Sequence, residues 1–488
     1  MMPVLGLCLL AGVGFAVLLT GLPAAVVLIA AACLGATLGA LGGDVPVGLL
    51  SALPGRLINL LESDLLQAIP LYVLMGAMIN RLPLADALYR STLAVLPRRP
   101  AAPAVSGIVL GGLLGPMNGS VGASVLALTR VVEPRLSGSG VPLPRRAAII
   151  AAASTLGVVV PPSLVLMLLG DAMLNAHTIA VTATGRDDRV INTQDVFHGA
   201  LAPAGIYFLA CLVVAWWSNR RTKPDAAAIA AARPTRREAV LAAGAVLAIV
   251  TLLGGVATGY FYAVEAAATG GFVLLAAGIV SRRLPLAALN GVLRDVLALT
   301  GALFFLLAAA TTLTLVLRIL GTDRLVAEWI TALPGGNLAA VAIVLAIIGL
   351  SALVLDAFEI IFVVVPIVIP PLLIRVGDAR WVAVLVLLTL QTSFLNPVIG
   401  YAVMMTRTLL KRPIAFGQLL GSLSPYMAAQ AALLLAVLFV PQLTHMGQSA
   451  ADRSRKPPPV SEQEIQQRLR RMVPLPDLPP RPGMTQPK

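Results

Sequence analysis

Apolar positions arrive in long runs, and the places where polar residues or helix breakers interrupt them carry the information. Residues 4–41 form 38 nearly unbroken apolar positions. About 20 such residues cross a bilayer as a helix, so this stretch is too long for one span. Gly21-Leu22-Pro23 predicts the turn, because Pro removes a helix donor and Gly permits a reversal; the spans are then 4–20 and 22–41. Residues 42–65 read as a polar interlude with Asp44, Arg56, Glu62 and Asp64, followed by a span at 66–80 and an amphipathic helix, LADALYRSTLAVLP, at 84–97. Such a helix suits the membrane interface. Further spans are predicted at 199–218, 239–256, 261–280, 298–317 and 418–440, with a polar loop at 175–198 and a second amphipathic piece, TDRLVAEWITALP, at 322–334.

Four apolar stretches are broken at their centres. Residues 104–136 are interrupted by GPMNGS (115–120) and predict a re-entrant hairpin. The stretch 147–174 contains STLGVVVPPS (154–163), a span broken at mid-depth. The stretch 340–374 is interrupted by LDAFE (355–359) and predicts a second hairpin, and 381–408 is broken by TSFLNP (392–397).

These breaks recur. Asp86, Leu88, Leu93, Leu96 and Pro97 are matched in order by Asp323, Leu325, Ile330, Leu333 and Pro334, each 237 positions later. The same offset sets Gly119-Ser120 on Asp356-Ala357, and Pro162 falls within two residues of Pro397. Charge orients the halves. Residues 219–238 carry Arg220, Arg221, Lys223, Arg233, Arg236 and Arg237, which places this linker in the cytoplasm. Counting spans outward from it, the first half starts outside and the second inside, so the two hairpins enter from opposite faces. The expected architecture is an all-α polytopic membrane protein: an inverted repeat, 1–218 and 239–440, of about five spans and one re-entrant hairpin each, followed by a disordered Pro-rich tail at 441–488. Inverted repeats with broken helices point to secondary transport.

Composition agrees. Of 488 residues 58% are hydrophobic and only 12% charged, against roughly 25% charged in a soluble domain. The net charge of +13 lies largely in the loops, without the interleaved aromatics of a nucleic-acid surface. The N-terminus has no basic region before its apolar run and reads as the first spans. Cys8, Cys33 and Cys211 fit neither a metal nor a disulfide spacing, and His177, His198 and His445 lack partners at ligand spacing. No zinc-type His motif, phosphate-binding glycine loop or catalytic serine elbow is present. An enzyme, a scaffold and a channel all fit the broken helices less well than alternating access does.

Non-helical backbone at membrane depth is tolerated only in packed protein or beside a cavity. Freed carbonyls and small hydroxyl or amide side chains suit a hard cation such as sodium, and half-helix N-termini suit a carboxylate. The candidate sodium and substrate residues are therefore Asn118, Gly119, Ser120, Ser154, Thr155, Gly157, Asp356, Glu359, Thr392, Ser393, Asn396, Pro397 and Gly400. Close helix packing is the alternative use of the Gly and Ser residues. For Asp356 and Glu359 the alternatives are an ion pathway and a solvated hairpin tip. Asp171 and Glu265 read as structural, and Trp216-Trp217 as an interfacial anchor.

Several segments together resemble a known family: IPLYVLMGAMI (69–79), GPMNGSVGAS (115–124), STLGVVVPPS (154–163), GYFYAVEAAATG (259–270), LDAFEIIFVVVPIVIP (355–370) and QTSFLNPVIGYAV (391–403). The chain resembles the large membrane subunit (DctM-like) of tripartite ATP-independent periplasmic (TRAP) transporters over most of 1–440. The resemblance implies an elevator-type ion-transporter fold in the bacterial inner membrane and organic-acid import driven by a sodium gradient. It also implies two partners, a small four-span membrane subunit and a periplasmic solute-binding protein. Many members carry two prolines and a glycine in the second broken span, where this chain reads Asn396-Pro397-Val398-Ile399-Gly400. The DAFEI and QTSF wording is closer to a branch linked with 2-oxo acids and other monocarboxylates. The alternative function is a stand-alone sodium- or proton-coupled organic-anion carrier of the same broad fold.

Overall fold

A chain of apolar runs in hydrocarbon must satisfy its own backbone groups, and the helix does so locally. The computed structural model describes residues 2–42, 47–62, 64–96, 99–185, 189–222, 234–282, 284–398 and 400–446. Every regular element among them is helical. Nine of these helices are long and apolar enough to cross a membrane, or ten if one bent pair counts as a span. Much of the predicted linker (223–233) and nearly all of the predicted tail (447–488) lie outside the described residues.

The first part of the chain folds as α1 (Met2–Thr20), α2 (Ala24–Leu41), α3 (Ala52–Leu61), α4 (Asp64–Arg81) and α5 (Leu84–Val95). The turn between α1 and α2 uses Gly21 at φ +64°, a conformation that costs Gly little. The first hairpin is α6 (Ala102–Leu114) and α7 (Val121–Val131), followed by the short α8 (Glu133–Gly138). The first broken span is α9 (Leu143–Val159) and α10 (Leu164–Thr184), and α11 (Thr193–Asn219) ends this half. After the linker come α12 (Arg236–Ala257), α13 (Ala263–Val280), α14 (Leu286–Ile319) and α15 (Thr322–Ala332). The second hairpin is α16 (Asn337–Ser351) and α17 (Ala357–Val376), α17 carrying one wide turn at Ile360–Val364. The second broken span is α18 (Ala379–Phe394) and α19 (Tyr401–Leu410), and α20 (Phe416–Phe439) closes the set.

Three stretches differ from the sequence reading. The interlude at 42–65 contains α3. The loop at 175–198 is mostly helix, because its polar side chains bond back into their own turns: Thr178 Oγ1 donates to the Leu174 carbonyl at 2.8 Å and Thr182 Oγ1 to the Thr178 carbonyl at 2.8 Å. An Asn192–Asp195 capping box then starts α11 early. The span at 298–317 is the C-terminal part of a 34-residue helix that begins at Leu286, roughly 50 Å long at 1.5 Å per residue and so longer than the hydrocarbon core is thick. Arg81 pairs with Asp295 at 3.4 Å near its polar end.

Burial divides the helices. The broken span α9–α10 is almost wholly enclosed and α17 mostly so, whereas α1 and α12 expose most of their surface. Enclosing α9 and α10 are α6, α7, α11, α17, α19 and α20. A second group packs around this centre: α2 on α14, α4 on α13 and α14, and α12 on α5. Polar ties fix the centre. Trp381 Nε1 donates to the Val437 carbonyl at 2.7 Å and Gln430 Nε2 to the Leu388 carbonyl at 3.0 Å, joining α18 to α20. Arg380 meets Asp195 at 2.7 Å with both side chains under a tenth exposed, joining α18 to α11.

Removing one partner of a buried ion pair leaves an unmatched charge, at about 3–5 kcal/mol. Asp195→Asn keeps an amide oxygen for the α11 cap but removes the carboxylate charge that faces Arg380. The purified protein is expected to lose about 3 kcal/mol, read as a lower denaturation midpoint in detergent. A midpoint equal to wild type would remove the pair from the account of the fold.

Candidate functional site

The four broken stretches converge. In the first hairpin the chain leaves α6 through a turn at Gly115–Met117 and re-enters helix at Val121. Ser120 is extended and its Oγ accepts from the Ala123 N–H at 3.1 Å, an N-cap that satisfies one orphan donor of α7. Gly119 stands at φ +67° with its Cα face against the backbone of Tyr72 and Val73. Gly76 of α4 lies so close to the tip that a Cβ there would meet the Asn118 carbonyl oxygen at 2.4 Å. Asn118 is buried; its Nδ2 donates to Ser124 Oγ at 3.1 Å, and its Oδ1 has no partner among the described residues.

The first broken span opens after Val159 and restarts at Leu164, capped by Ser163, whose Oγ accepts from Leu166 N–H at 3.1 Å and donates to the Val158 carbonyl at 3.0 Å. Ser154 and Thr155 are fully buried and donate to the carbonyls of Ala151 and Ala152. Gly157 presses on the hairpin: a Cβ there would lie 2.4 Å from the carbonyl carbon and oxygen of Gly115. Between the two sits a space of about 10 Å³, lined in part by Gly119, Ser120, Ser124, Ser154 and Gly157. That is room for one water-sized sphere.

At the second hairpin tip Asp356 and Glu359 form a reciprocal cap. Asp356 Oδ1 accepts from Ala357 N–H at 2.8 Å and Glu359 Oε2 from Asp356 N–H at 3.0 Å. Carboxylates at a helix N-terminus are also favoured by its dipole. In the second broken span Thr392 and Ser393 donate to carbonyls of their own helix. Asn396 Oδ1 accepts from Val398 N–H at 3.0 Å, and Gly400 N–H closes on the Asn396 carbonyl at 2.8 Å. A Cβ at Gly400 would meet that carbonyl oxygen at 2.4 Å, so the turn needs Gly.

One larger cavity, about 280 Å³, joins these parts. Ser120 and Val121 line it at the start of α7, Val165 at the start of α10, Asp356, Phe358 and Glu359 at the start of α17, and Tyr401 at the start of α19. Four half-helix N-termini therefore face a single volume. Its far wall is the α1–α2 turn and the Leu299–Leu306 face of α14. No lysine or arginine lines it, so an anion there would be held by helix dipoles and N–H groups. Among the described residues no three or more His, Cys, Asp or Glu come together as metal ligands. A cation would rest on carbonyl, hydroxyl, amide and carboxylate oxygens, the hard donors that suit one.

Of the residues picked from sequence, Ser120, Asp356 and Glu359 line the larger cavity, and Gly119, Ser120, Ser154 and Gly157 the smaller. Asn118 lies behind them with its free acceptor. Thr155 is turned toward Tyr207 of α11, and Thr392, Ser393, Asn396, Pro397 and Gly400 shape the second break without lining either space. Asp171 bonds within α10 through Asn175, and Glu265 caps α13 by accepting from Tyr262 N–H at 2.9 Å. Sequence reading missed Phe394 and Tyr401, although both stand inside the QTSFLNPVIGYAV segment as the aromatic flanks of its break. It also missed Gln391, fully buried one turn before that break with neither amide atom paired.

Comparison with known proteins follows the same outline. Residues 11–443 match the family described as "Tripartite ATP-independent periplasmic transporter, DctM component". The chain is 22% identical over 389 residues to the 2,3-diketo-L-gulonate TRAP transporter large permease protein YiaN of Escherichia coli, covering 79% of this chain and 87% of that one. It is 25% identical over 151 residues to the C4-dicarboxylate TRAP transporter large permease protein DctM of Rhodobacter capsulatus, covering 31% and 33%. Among solved structures, the Alcanivorax borkumensis YdaH transporter superposes with a TM-score of 0.56 at 15% identity, covering 81% of this chain and 87% of that one, a likeness of fold.

The contact of Gly157 with Gly115 leaves no space for a side chain. Gly157→Val is expected to destabilise the purified protein by about 1–3 kcal/mol or more, whereas Gly12→Ala, which meets nothing within 4 Å, should stay within about 0.5 kcal/mol of wild type. Equal denaturation midpoints for the two variants would refute the close approach.

Proposed function

The chain belongs to the family of the DctM component of tripartite ATP-independent periplasmic transporters, and from that premise we propose that it imports a small organic acid, coupled to a sodium gradient, through the cavity between the hairpin tips. As a large permease it is a multi-pass membrane protein of the bacterial inner membrane, and its relatives are named as permeases, not enzymes. The observation that carries the proposal is the convergence of four half-helix N-termini with Asp356 and Glu359 on one volume of about 280 Å³.

The division of labour follows from charge. The helix N-termini supply fixed positive potential and N–H donors for a carboxylate. The two acids, the free Oδ1 of Asn118 and the carbonyls released at the breaks supply oxygens for sodium. A cation and an anion bound side by side neutralise each other, so each raises the affinity of the other, and such reciprocity is a coupling free energy. The substrate is a small carboxylate; the sequence segments favour a 2-oxo acid or another monocarboxylate, while the relatives are named for a diketo sugar acid and C4-dicarboxylates.

Alternating access on the elevator pattern fits the burial. The enclosed centre of hairpins and broken spans meets α2 and α14 across the cavity, so a displacement of the centre along that wall would carry the site with it. The two partners proposed are the small four-span membrane subunit and a periplasmic solute-binding protein that delivers the substrate. The exposed outer faces of α1 and α12 leave surface for a membrane partner.

The test is uptake by proteoliposomes holding the chain with a small four-span subunit from the same cells, the binding protein being added outside. Uptake is expected only with an inward sodium gradient. Ser120→Trp, which fills the shared wall of both cavities, should reduce it to background with insertion unchanged. Glu359→Gln should raise the sodium concentration for half-maximal uptake by about tenfold, the loss of one charged ligand worth roughly 1.4 kcal/mol. Unaltered uptake by Ser120→Trp would move the site elsewhere. Uptake by the chain alone would assign it to a stand-alone carrier.

A further inference from the structure

A second polar space lies away from the transport site. It has a volume of about 520 Å³ and sits where the C-terminal end of α11 meets the start of α9 and the side of α20. Arg145, Arg220, Arg221, Thr222, Ser422 and Trp217 are among its lining residues. We propose that this cavity binds the phosphate of an anionic glycerophospholipid headgroup.

Charge balance is the first reason. Three enclosed arginines elsewhere in the protein have acids: Arg146 meets Glu133 at 2.6 Å, Arg135 meets Asp86 at 2.5 Å and Arg380 meets Asp195 at 2.7 Å. Among the described residues no carboxylate pairs with Arg145, Arg220 or Arg221. Three cations around one cavity repel one another unless an anion separates them, and none of the lining residues is acidic.

Geometry is the second. Arg145 Nη1 donates to the Ser218 carbonyl at 2.8 Å, which fixes the guanidinium at the mouth and uses one of its five donors. The Arg220 Cζ sits over the Trp217 ring, 3.5 Å from its centroid. That contact holds the head group against an aromatic face while no described carboxylate or carbonyl takes its N–H donors, the groups that recognise a phosphate. A planar fork on one side and a tethered guanidinium on the other make a preformed anion cradle.

Position identifies the ligand as a lipid. Trp217 and Val213 are well exposed on the outer face of α11, as are Leu209 and Ile206 further along the helix. That row faces hydrocarbon, and Trp at its end marks headgroup depth. Trp216, whose ring lies 6.3 Å from that of Trp217, borders a neighbouring groove of about 320 Å³ lined by Leu96, Val105, Leu212 and Val213 with Arg99 at its rim. A phosphate in the basic cavity thus has an apolar groove next to it for an acyl chain. The basic linker that follows Thr222 orients this end toward the cytoplasm, where anionic lipids give the leaflet its negative potential.

The experiment uses the full chain in mild detergent, incubated with phosphatidylglycerol or phosphatidylcholine and read by native mass spectrometry. Wild type should hold one phosphatidylglycerol in preference to phosphatidylcholine. Arg220→Gln/Arg221→Gln, which leaves the Arg145 tie intact, should weaken that binding by about tenfold or more, at about 1 kcal/mol per cation. Arg282→Gln/Arg294→Gln, an equal loss of exposed charge elsewhere, should not. A denaturation midpoint unchanged in the first variant keeps the comparison sound. Undiminished phosphatidylglycerol binding in that variant, or an equal loss in the control, would overturn the proposal. Inorganic phosphate that displaces the lipid at equal concentration would also overturn it, by assigning the cavity to a soluble anion.

Discussion

Every unpaired backbone N–H or carbonyl in hydrocarbon costs several kcal/mol, and the structure is arranged around the four places where helices must nevertheless stop. Each stop is satisfied locally. Ser120, Ser163 and Asp356 cap the helices that restart, and Asn396 with Gly400 closes the fourth turn. The break between α9 and α10 is also enclosed by packed protein, and these are the most deeply buried helices. The second group of helices, apart from the bent α3–α4 pair, runs without such a break and can stay lipid-exposed.

Enclosure at this density demands glycine at a few points. Gly111 lies against Ala153, Gly115 against Gly157 and Gly76 against Asn118, each at a distance where a Cβ would collide with backbone. Small residues that let backbones touch are the usual means of helix association where lipid competes equally for apolar side chains. Here they place the tip of the first hairpin against the break in α9, so packing and site construction are the same contacts. The alternative that these glycines serve packing and the alternative that they shape a site do not exclude each other in this protein.

The sequence was most legible where the backbone has few options. Gly21-Leu22-Pro23, GPMNGS, VVVPPS, LDAFE and TSFLNP each stop a helix for a local reason, and the structure stops a helix at each. Legibility failed where polar side chains can satisfy themselves inside a helix. The Thr residues of α10 bond to carbonyls one turn back, so a polar stretch stayed helical. It failed again for α14, where Asn290, Arg294 and Asp295 hide a helix that starts well before its apolar run. The site followed the same division. The residues that make the breaks could be named, but which of them face a cavity could not, since that depends on how four chain segments distant in sequence come together. Ser120 lines both spaces while Asn396, its counterpart in kind, spends its amide on its own turn. The α14 wall carries no motif, only an apolar face.

The caps tie the proposed site to the two helix starts that border it. Asp356 and Glu359 hold the first turn of α17 with the same carboxylates that border the larger cavity. A cation that draws on one of those oxygens competes with a backbone N–H for it, and the hairpin tip must adjust to whichever partner wins. Ser120 is in the same position at the start of α7, its Oγ shared between the cap and both spaces. In the proposed site, ligand occupancy and the geometry of the two tips would be linked through individual hydrogen bonds, each worth about 0.5–1.5 kcal/mol net, or somewhat more where a carboxylate accepts. A few such bonds acting together reach the 1–3 kcal/mol typical of coupling between sites, the size that the proposed coupling of cation to substrate requires.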